Sequence, residues 1–218
     1  MDRIAAGVVR FQTSVYPKKR ELFDKLAEGQ APRALFVTCS DSRIETAMIT
    51  QTDPGEMFVC RNAGNIVPPY AETASGVTAS IEFAVAVLKV RHIVICGHTE
   101  CGAMASLLDR KSLEHLPHVS QWLGEAQPAV DRVDASSPQC SADERIRRVT
   151  EENVLVQLEN LATHASVRAA VEAKRIALHG WIYDIKTGDV SEYDEAKAAF
   201  VPIAEKYAEE IRALAARI

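Results

Sequence analysis

The stretch of sequence that decides the fold reads HIVICGHTECG and covers residues 92–102. Its first half, residues 92–96, is a short apolar run of the kind that forms a buried strand. Its second half, residues 97–102, is polar and bounded by glycines, and residues of helical type follow from about Ala103. A buried strand that leads through a polar loop into a helix is the repeating unit of a parallel sheet, which binds ligands at the carboxyl ends of its strands. We therefore expect residues 97–102 to lie at a functional edge of such a sheet.

The same arrangement occurs elsewhere in the chain. The apolar run 34–38 leads into the polar turn CSDSR at 39–43, and the run 57–60 leads into the polar loop RNAGN at 61–65. A fourth run, at 175–183, also has strand character. Residues of helical type fill the segments at about 72–88, 116–171 and after 195. The alternation predicts an α/β fold with a mostly parallel central sheet flanked by helices.

An N-terminal helical arm precedes the first strand. Apolar residues recur at helical spacing between residues 2 and 29, and Pro17 lies where one helix would end and the next would begin. Such an arm cannot bury its apolar face by itself, so we expect it to pack against a neighbouring subunit. Since 218 residues suffice for one large core, we expect a single domain over residues 1–218, with residues 1–30 as the arm.

Composition narrows the possible functions. Hydrophobic residues make up 47% of the chain and charged residues 25%, as in folded globular proteins. A formal net charge of -5 with no basic stripe argues against nucleic acid as a partner. No apolar segment approaches the length of a membrane span and no export signal is evident, so we expect a cytoplasmic protein without a membrane partner. The five cysteines then indicate reduced thiols or metal ligands.

The candidate metal ligands are Cys39, His98 and Cys101. His98 and Cys101 are three residues apart at a strand-to-helix junction, and Cys39 follows another strand whose end we expect nearby. Sulfur and imidazole ligands suit Zn²⁺ better than Mg²⁺ or Ca²⁺, which prefer oxygen. Three protein ligands leave the fourth zinc position open, as in catalytic sites.

Each of these residues also has an ordinary structural interpretation. Either cysteine alone can be a small buried hydrophobic residue, and His98 can be a loop histidine with satisfied hydrogen bonds. Their joint placement favours the metal site. Asp41 and Arg43 share the loop of Cys39, and a carboxylate held by arginine keeps its charge and can orient a nucleophile. They are candidate catalytic residues, with a loop-stabilising ion pair as the alternative.

The chemistry of these residues does not select one substrate. Zinc with a positioned nucleophile supports hydration or hydrolysis of any small electrophile. The loop 97–102 also has the glycine spacing of a phosphate-binding loop, but Ala103 and Met104 replace the required lysine and hydroxyl residue, which argues against a nucleotide. Cys60 and Cys96 end apolar strands and are expected in the core.

Three motifs in this order and spacing, CSDSR (39–43), RNAGN (61–65) and GHTECGA (97–103), resemble those of the β-class carbonic anhydrases. The resemblance runs from about residue 30 to residue 183. It implies a Zn²⁺ site formed by Cys39, His98 and Cys101, with Asp41 and Arg43 as a catalytic pair beside it. The implied activity is the reversible hydration of carbon dioxide to bicarbonate and a proton by zinc-bound hydroxide.

The resemblance also implies a substrate pocket and an oligomer. Substrate-lining positions of open-site members of the family match Gln30, Phe58 and Phe83, the last being tyrosine in those relatives, and the backbone amide of Gly102 is a further candidate donor. Part of this pocket would come from a second subunit. A homodimer or a homotetramer is therefore expected.

Two departures from the family bear on regulation and leave other functions open. Members in which bicarbonate drives the aspartate onto zinc typically carry Trp three residues before the first cysteine and Gly just before it, whereas Phe36 and Thr38 stand here. These departures favour the open-site type. The alternatives are a hydrolase of carbon disulfide or carbonyl sulfide, as some relatives are, or a non-catalytic zinc-binding protein with the same fold.

Overall fold

The computed structural model describes residues 1–71 and 75–216 of the chain. Its strands are β1 (Ala34–Cys39), β2 (Met57–Asn62), β3 (His92–His98), β4 (Ala177–Tyr183), β5 (Val190–Asp194) and β6 (Ala199–Pro202). Within the described ranges these form one six-stranded sheet in the order β2-β1-β3-β4-β5-β6. The first four strands are parallel and the last two are antiparallel to their neighbours. The predicted mostly parallel α/β sheet is confirmed.

The register of the central strands brings three polar loops to one edge of the sheet. Cys39, at the end of β1, pairs with Asn62, at the end of β2. On the other side of β1, Thr38 pairs with Cys96, two residues before the end of β3. Because parallel strands in this register end together, the loops that follow them leave the sheet side by side.

Helices precede, connect and follow the strands. They are α1 (Asp2–Arg10), α2 (Arg20–Glu28), α3 (Thr46–Thr50), α4 (Gly76–Glu82), α5 (Gly102–Leu108), α6 (Pro117–Leu123), α7 (Gln127–Ser136), α8 (Ala142–Thr163), α9 (Ala165–Glu172), α10 (Ile203–Lys206) and α11 (Ala208–Ala215). The central strands bury Leu35, Val37 and Ile95 in a core that includes Val154 of α8. Burial of such side chains is the main stabilising contribution to a fold of this kind.

The long helix α8 packs directly on the middle of the sheet. Gly97 of β3 and Gly180 of β4 permit this approach, since a Cβ atom built on either would lie 2.9 Å from a methyl group of Val154. A side chain at either position would displace this methyl group, so glycine is what lets the side chains of α8 lie directly on the strand backbones. The close contact fixes α8 relative to the carboxyl end of β3, where the candidate ligands lie.

The structure corrects one prediction and extends another. Residues 199–202, predicted to be helical with the rest of the C-terminal segment, form β6, and β5 was not predicted at all. Both strands are short, and each is defined by antiparallel pairing with a neighbour rather than by a long apolar pattern. The helix predicted at 72–88 begins at Gly76, and its first predicted residues, 72–74, lie outside the described residues.

The N-terminal arm contains the two predicted helices, α1 and α2. Its apolar residues stay exposed within one chain, with Ile4 at 66% and Val8 at 52% of their full exposure. Phe11, Tyr16 and Phe23 pack on one another, with ring centroids 5.1 to 6.0 Å apart. Among the described residues, no helix has both the length and the apolar character needed to cross a membrane.

Candidate metal centre

Three potential metal ligands converge at the carboxyl edge of the sheet. Cys39 is the last residue of β1, His98 is the last residue of β3, and Cys101 lies immediately before α5. One nitrogen or sulfur atom of each lies within 4.8 Å of the others. All three side chains are at most 5% exposed. The adjacency of β1 and β3, rather than proximity in sequence, produces this cluster.

His98 is oriented so that one ring nitrogen faces the cluster. Its Nδ1 lies 2.8 Å from the carbonyl oxygen of Thr99, and because a carbonyl only accepts, Nδ1 carries the proton. In the neutral imidazole the other nitrogen, Nε2, then carries a lone pair and can bind a metal ion. Among the buried side-chain nitrogen and oxygen atoms of the described residues, Nε2 of His98 and Nδ2 of Asn65 lack a hydrogen-bond partner.

The two cysteines form a coupled pair. A hydrogen bond from the Cys101 thiol holds the pKa of Cys39 well below its ordinary value, although burial acts in the opposite direction. The backbone amide of Gly64, whose nitrogen lies 3.4 Å from Cys39 Sγ, lowers the pKa of Cys39 further. The pair therefore supplies a thiolate, the form in which cysteine binds metals.

This donor set fits zinc. Two sulfur atoms and one imidazole nitrogen, all buried and close together, are ligands that Zn²⁺ accepts in tetrahedral sites. An unprotonated buried nitrogen without a partner is costly unless it binds something, and a metal ion would satisfy it. With three protein ligands, the fourth tetrahedral position remains for water or substrate.

Asp41 and Arg43 lie beside the cluster as the sequence predicts. Arg43 donates from Nε to Asp41 Oδ1 at 2.9 Å and from Nη2 to Oδ2 at 2.7 Å. The hydrogen bonds from Arg43 hold the pKa of Asp41 well below its usual range, against a smaller opposing effect of burial. Asp41 Oδ2 is 4.0 Å from His98 Nε2, so an ionised carboxylate borders the open side of the cluster.

The backbone around this pair is held by further contacts. Arg43 Nη2 also donates to the carbonyl oxygen of Glu100 at 2.9 Å, and Glu100 adopts a left-handed conformation with a φ of 57°. Arg43 thus links the loop of Cys39 to the loop of His98 and Cys101. A non-glycine residue in this conformation is uncommon and is often found at functional sites.

Arg61 is a contributor that sequence reasoning missed, although it lies in a quoted motif. It extends from β2 under the loop of Asp41 and donates to three backbone carbonyls, those of Cys39 at 3.2 Å, Asp41 at 2.8 Å and Ile44 at 2.7 Å. Its position at the polar end of an apolar strand was the available signal. These bonds fix the backbone that carries Asp41.

The predicted substrate-binding residues do not all gather at the cluster within one chain. Phe58 and Phe83 pack against each other, with ring centroids 5.9 Å apart. Phe58 precedes Asn62 by four residues along β2, which places it about 13 Å from the strand end where the ligands lie. Gln30 is exposed after α2, and Gly102 is exposed at the start of α5 next to Cys101.

The remaining strand cysteines lie apart from the metal-ligand cluster. Cys96 is buried, and burial raises its pKa to about 12. Burial also raises the pKa of Cys60, which is partly buried. Neither belongs to the group of residues that can hold a metal ion in the described part of the chain.

Comparisons with known proteins identify clear relatives. Residues 34–190 match the sequence profile of the family described as "Carbonic anhydrase". The chain is 46% identical over 205 residues to a carbonic anhydrase of Pseudomonas aeruginosa, which covers 94% of this chain and 93% of the relative. It is 48% identical over 204 residues to carbonic anhydrase 1 of Escherichia coli O157:H7, with the same two coverages, 94% and 93%.

Solved structures show the same similarity in three dimensions. The β-carbonic anhydrase CcaA aligns with a TM-score of 0.90 and 39% identity, over 93% of this chain and 98% of that chain. A structure from a study of two tetrameric β-carbonic anhydrases of the ascomycete Sordaria macrospora aligns with a TM-score of 0.73 and 34% identity. That alignment covers 88% of this chain and 92% of the fungal chain.

Proposed function

Because this chain belongs to the β-class carbonic anhydrases and is an enzyme of that family, we propose that it reversibly hydrates carbon dioxide to bicarbonate and a proton. The zinc ligands in this proposal are Cys39, His98 and Cys101. One observation carries it: the buried ligand cluster, with the unpaired Nε2 of His98, borders an ionised carboxylate held by arginine.

The roles of the residues follow from their chemistry. Bound zinc supplies a Lewis acid that makes water a nucleophile at neutral pH, a property for which carbonic anhydrase is the standard example. Asp41, ionised and held by Arg43, can only accept hydrogen bonds, so it would orient the attacking water by accepting a hydrogen bond from it. Arg43 and Arg61 keep Asp41 in place by holding its side chain and its backbone.

We assign the enzyme to the open-site type. Both oxygens of Asp41 accept hydrogen bonds from Arg43, so the carboxylate would have to break two charge-assisted bonds before it could reach the metal. Arg61 is likewise engaged, through Nε and Nη2, by three backbone carbonyls that belong to the segment carrying Asp41. Phe36 and Thr38, which replace the residues typical of closing members, support the same assignment.

The substrate pocket in this proposal is completed by a second copy of the chain. Gln30, Phe58 and Phe83, with the amide of Gly102, would surround the carbon dioxide, and the distance of Phe58 from the ligands in its own chain favours a contribution from the partner. Phe83 is 43% exposed, as an interface residue would be in an isolated chain. The exposed apolar face of α1 supports an arm that packs on the partner.

Further parts of the proposal concern assembly and compartment. We propose a homodimer or homotetramer, for which a tetrameric structural relative is a precedent. We also propose that residues 1–218 are one domain with residues 1–30 as its arm. A cytoplasmic location is consistent with ligands that must remain reduced thiols.

Stopped-flow measurement of carbon dioxide hydration, with zinc content determined on the same sample, tests this function. Cys101→Ser removes one of three ligands, so we expect loss of zinc and a fall in kcat/KM beyond the roughly 100-fold that changes outside the ligand set produce. Cys140→Ser is the matched control, because Cys140 lies in the loop between α7 and α8, and should leave both quantities unchanged.

The outcomes separate the alternatives. Full hydration activity in zinc-free Cys101→Ser protein would overturn the proposed site. If the wild-type protein is fully occupied by zinc but does not hydrate carbon dioxide, two interpretations remain: a hydrolase of sulfur-containing substrates and a non-catalytic zinc-binding protein. Sulfide release from carbon disulfide or carbonyl sulfide would then distinguish these two.

A further inference from the structure

One peptide group outside the ligand set points at a candidate metal ligand. The N–H group of Gly64 donates to Cys39 Sγ, with nitrogen and sulfur 3.4 Å apart. The carbonyl of the same peptide group belongs to Ala63 and accepts a hydrogen bond of 2.9 Å from the indole Nε1 of Trp122 in α6. Because a peptide group is planar, fixing its carbonyl also fixes the direction of its N–H bond. Trp122 therefore aims the donor at Cys39.

The next peptide group is held by a side chain of α8. Asn153 Nδ2 donates to the carbonyl oxygen of Gly64 at 3.0 Å. Gln157, one helical turn further on, donates to Asn153 Oδ1 at 2.9 Å and accepts from the amide of Val67 at 2.8 Å. Asn160 donates to the carbonyl oxygen of Val67 at 2.9 Å. We call these three side chains of α8 the amide ladder.

Burial gives the amide ladder its rigidity. Asn153 and Gln157 are completely buried, so each would be strongly destabilising if its hydrogen bonds were not made. Their spacing of four residues places them on one face of α8, which is itself pressed against the sheet at Gly97. The loop after β2 is thus tied to the helix that packs beside β3.

Gly64 is the point at which the two supports meet. Its φ of 80° is a left-handed conformation that glycine adopts without strain. A Cβ atom here would lie 3.0 Å from Met104 Cε and 3.3 Å from the Cβ of Ala103, both in α5. The backbone can therefore approach the ligand cluster only at a glycine, and it needs side chains of other elements to hold it there.

We propose that Trp122 and Asn153 are positioning residues for the zinc site, because they hold the two peptide groups on either side of the Gly64 Cα atom and so keep the N–H of Gly64 as a hydrogen-bond donor to Cys39. This inference rests on the proposed function, since it assumes that Cys39 is a metal ligand. The N–H donor withdraws electron density from the sulfur, restrains its position and favours the thiolate as a ligand. Interactions of this kind, one step removed from the metal, typically change metal affinity about 10- to 100-fold.

The test compares two tryptophan variants. Trp122→Phe keeps the aromatic ring but removes the N–H donor to Ala63, whereas Trp181→Phe removes an equivalent indole donor, at 2.9 Å from Glu192, away from the ligand cluster. Zinc affinity is measured by competition with a chelator. Electronic structure is measured by the sulfur-to-metal charge-transfer band of the Co²⁺-substituted protein.

We expect Trp122→Phe to bind zinc about tenfold more weakly, and its charge-transfer band to move to lower energy because the sulfur becomes more electron-rich. Asn153→Ala should change both quantities in the same direction. Trp181→Phe should leave both unchanged, even if its melting temperature falls. Thermal unfolding of every variant identifies any variant that has failed to fold. If Asn153→Ala does not fold, the result for Trp122→Phe, the milder change, tests the proposal.

Two results would overturn the inference. One is an affinity and a band in Trp122→Phe that equal those of the wild type. The other is an equal change in Trp181→Phe, which would indicate a general loss of stability. Failure of the wild-type protein to bind Zn²⁺ or Co²⁺ would instead overturn the proposed function, so the two failures are distinguishable.

Discussion

Two buried polar clusters lie on different parts of the same sheet, and they differ in how fully their hydrogen bonds are made. The ligand cluster lies at the ends of β1 and β3 and contains Nε2 of His98, which has no partner. The second cluster surrounds Glu192 of β5, on the antiparallel side of the sheet. Glu192 is only 3% exposed, yet both of its oxygens are occupied.

The partners of Glu192 come from the strand beside it and from the C-terminal helices. They are His179 Nδ1 at 3.0 Å, Trp181 Nε1 at 2.9 Å, Tyr207 Oη at 2.8 Å and Lys206 Nζ at 2.9 Å. Burial alone would raise the pKa of Glu192, but these hydrogen bonds together outweigh it and lower the pKa to about 2. The carboxylate therefore stays ionised and bound to its partners at neutral pH.

The comparison shows how a structural cluster differs from a functional one. Around Glu192 the donors are matched to the acceptor oxygens, so the cluster ties the C-terminal helices to the sheet and offers little to a ligand. In the ligand cluster an acceptor is left over in a buried position, a cost that is recovered when a metal ion binds. Both clusters are buried, so burial does not distinguish them. The unpaired Nε2 of His98 distinguishes the ligand cluster from the cluster around Glu192.

The largest expected effect concerns the carboxylate beside the ligand cluster. Asp41→Asn keeps the shape of the side chain but removes the charged hydrogen-bond acceptor that orients the attacking water. We expect normal zinc content and a fall in kcat of roughly 10²- to 10³-fold, the range typical of losing one positioned hydrogen-bonding group from an active site. The measurement is stopped-flow hydration with metal analysis of the same sample.

A second arginine-aspartate pair provides the control for this variant. Asp134 accepts two hydrogen bonds of 2.8 Å from Arg145 with a similar geometry, but it lies in α7. Asp134→Asn should leave the hydration rate unchanged. A similar loss of rate in both variants would mean that Asp41 acts only through stability.

The next largest effect is expected for Glu192→Gln and concerns stability. If this variant lost zinc or activity instead, the distinction between a structural and a functional cluster would be wrong. In Glu192→Gln the charge is lost and Lys206, His179 and Tyr207 lose part of their partner, so we expect destabilisation of about 3 kcal/mol with unchanged zinc content. Urea unfolding measures it. Glu195→Gln, at an exposed residue of the following turn, should change stability by less than about 0.5 kcal/mol.

The pH dependence of unfolding gives a second measurement on Glu192→Gln. The pKa of Glu192 is lower in the folded protein, at about 2, than the ordinary value of 4.5. Its contribution to stability is therefore complete above about pH 4.5 and is lost as the pH falls towards about 2. Within this pH range the difference in the free energy of unfolding between the wild-type protein and Glu192→Gln should shrink. A difference that stays constant with pH would contradict the lowered pKa of Glu192.

The smallest expected effect concerns the open-site assignment. If Asp41 stays with Arg43, the hydration rate should fall by no more than about tenfold per pH unit on acidification, the slope for a single proton. Hydration measured from alkaline to mildly acidic pH, with and without added bicarbonate, tests this. A steeper, cooperative loss of rate that bicarbonate enhances would show that Asp41 moves onto the metal.

Local sequence patterns predicted much of the fold and the ligand set. Each of the first four strands is a compact apolar run, and the polar residues directly after β1 and β3 include the candidate ligands. β5 and β6 were not predicted, because their short segments become strands only by pairing with β4 and with each other. No local pattern distinguished Trp122 or Asn153, because their hydrogen-bond partners, Ala63 and Gly64, lie 59 and 89 residues away along the chain.

The sequence by itself determined which residues end the parallel strands, because the alternation of apolar runs and polar loops is a short-range property. It thereby determined the donor set of Cys39, His98 and Cys101. Only the tertiary structure decided which buried groups are satisfied and which are not. Asn153 and Gly64, 89 residues apart, form their hydrogen bond because α8 packs on the sheet, and no local pattern encodes that distance.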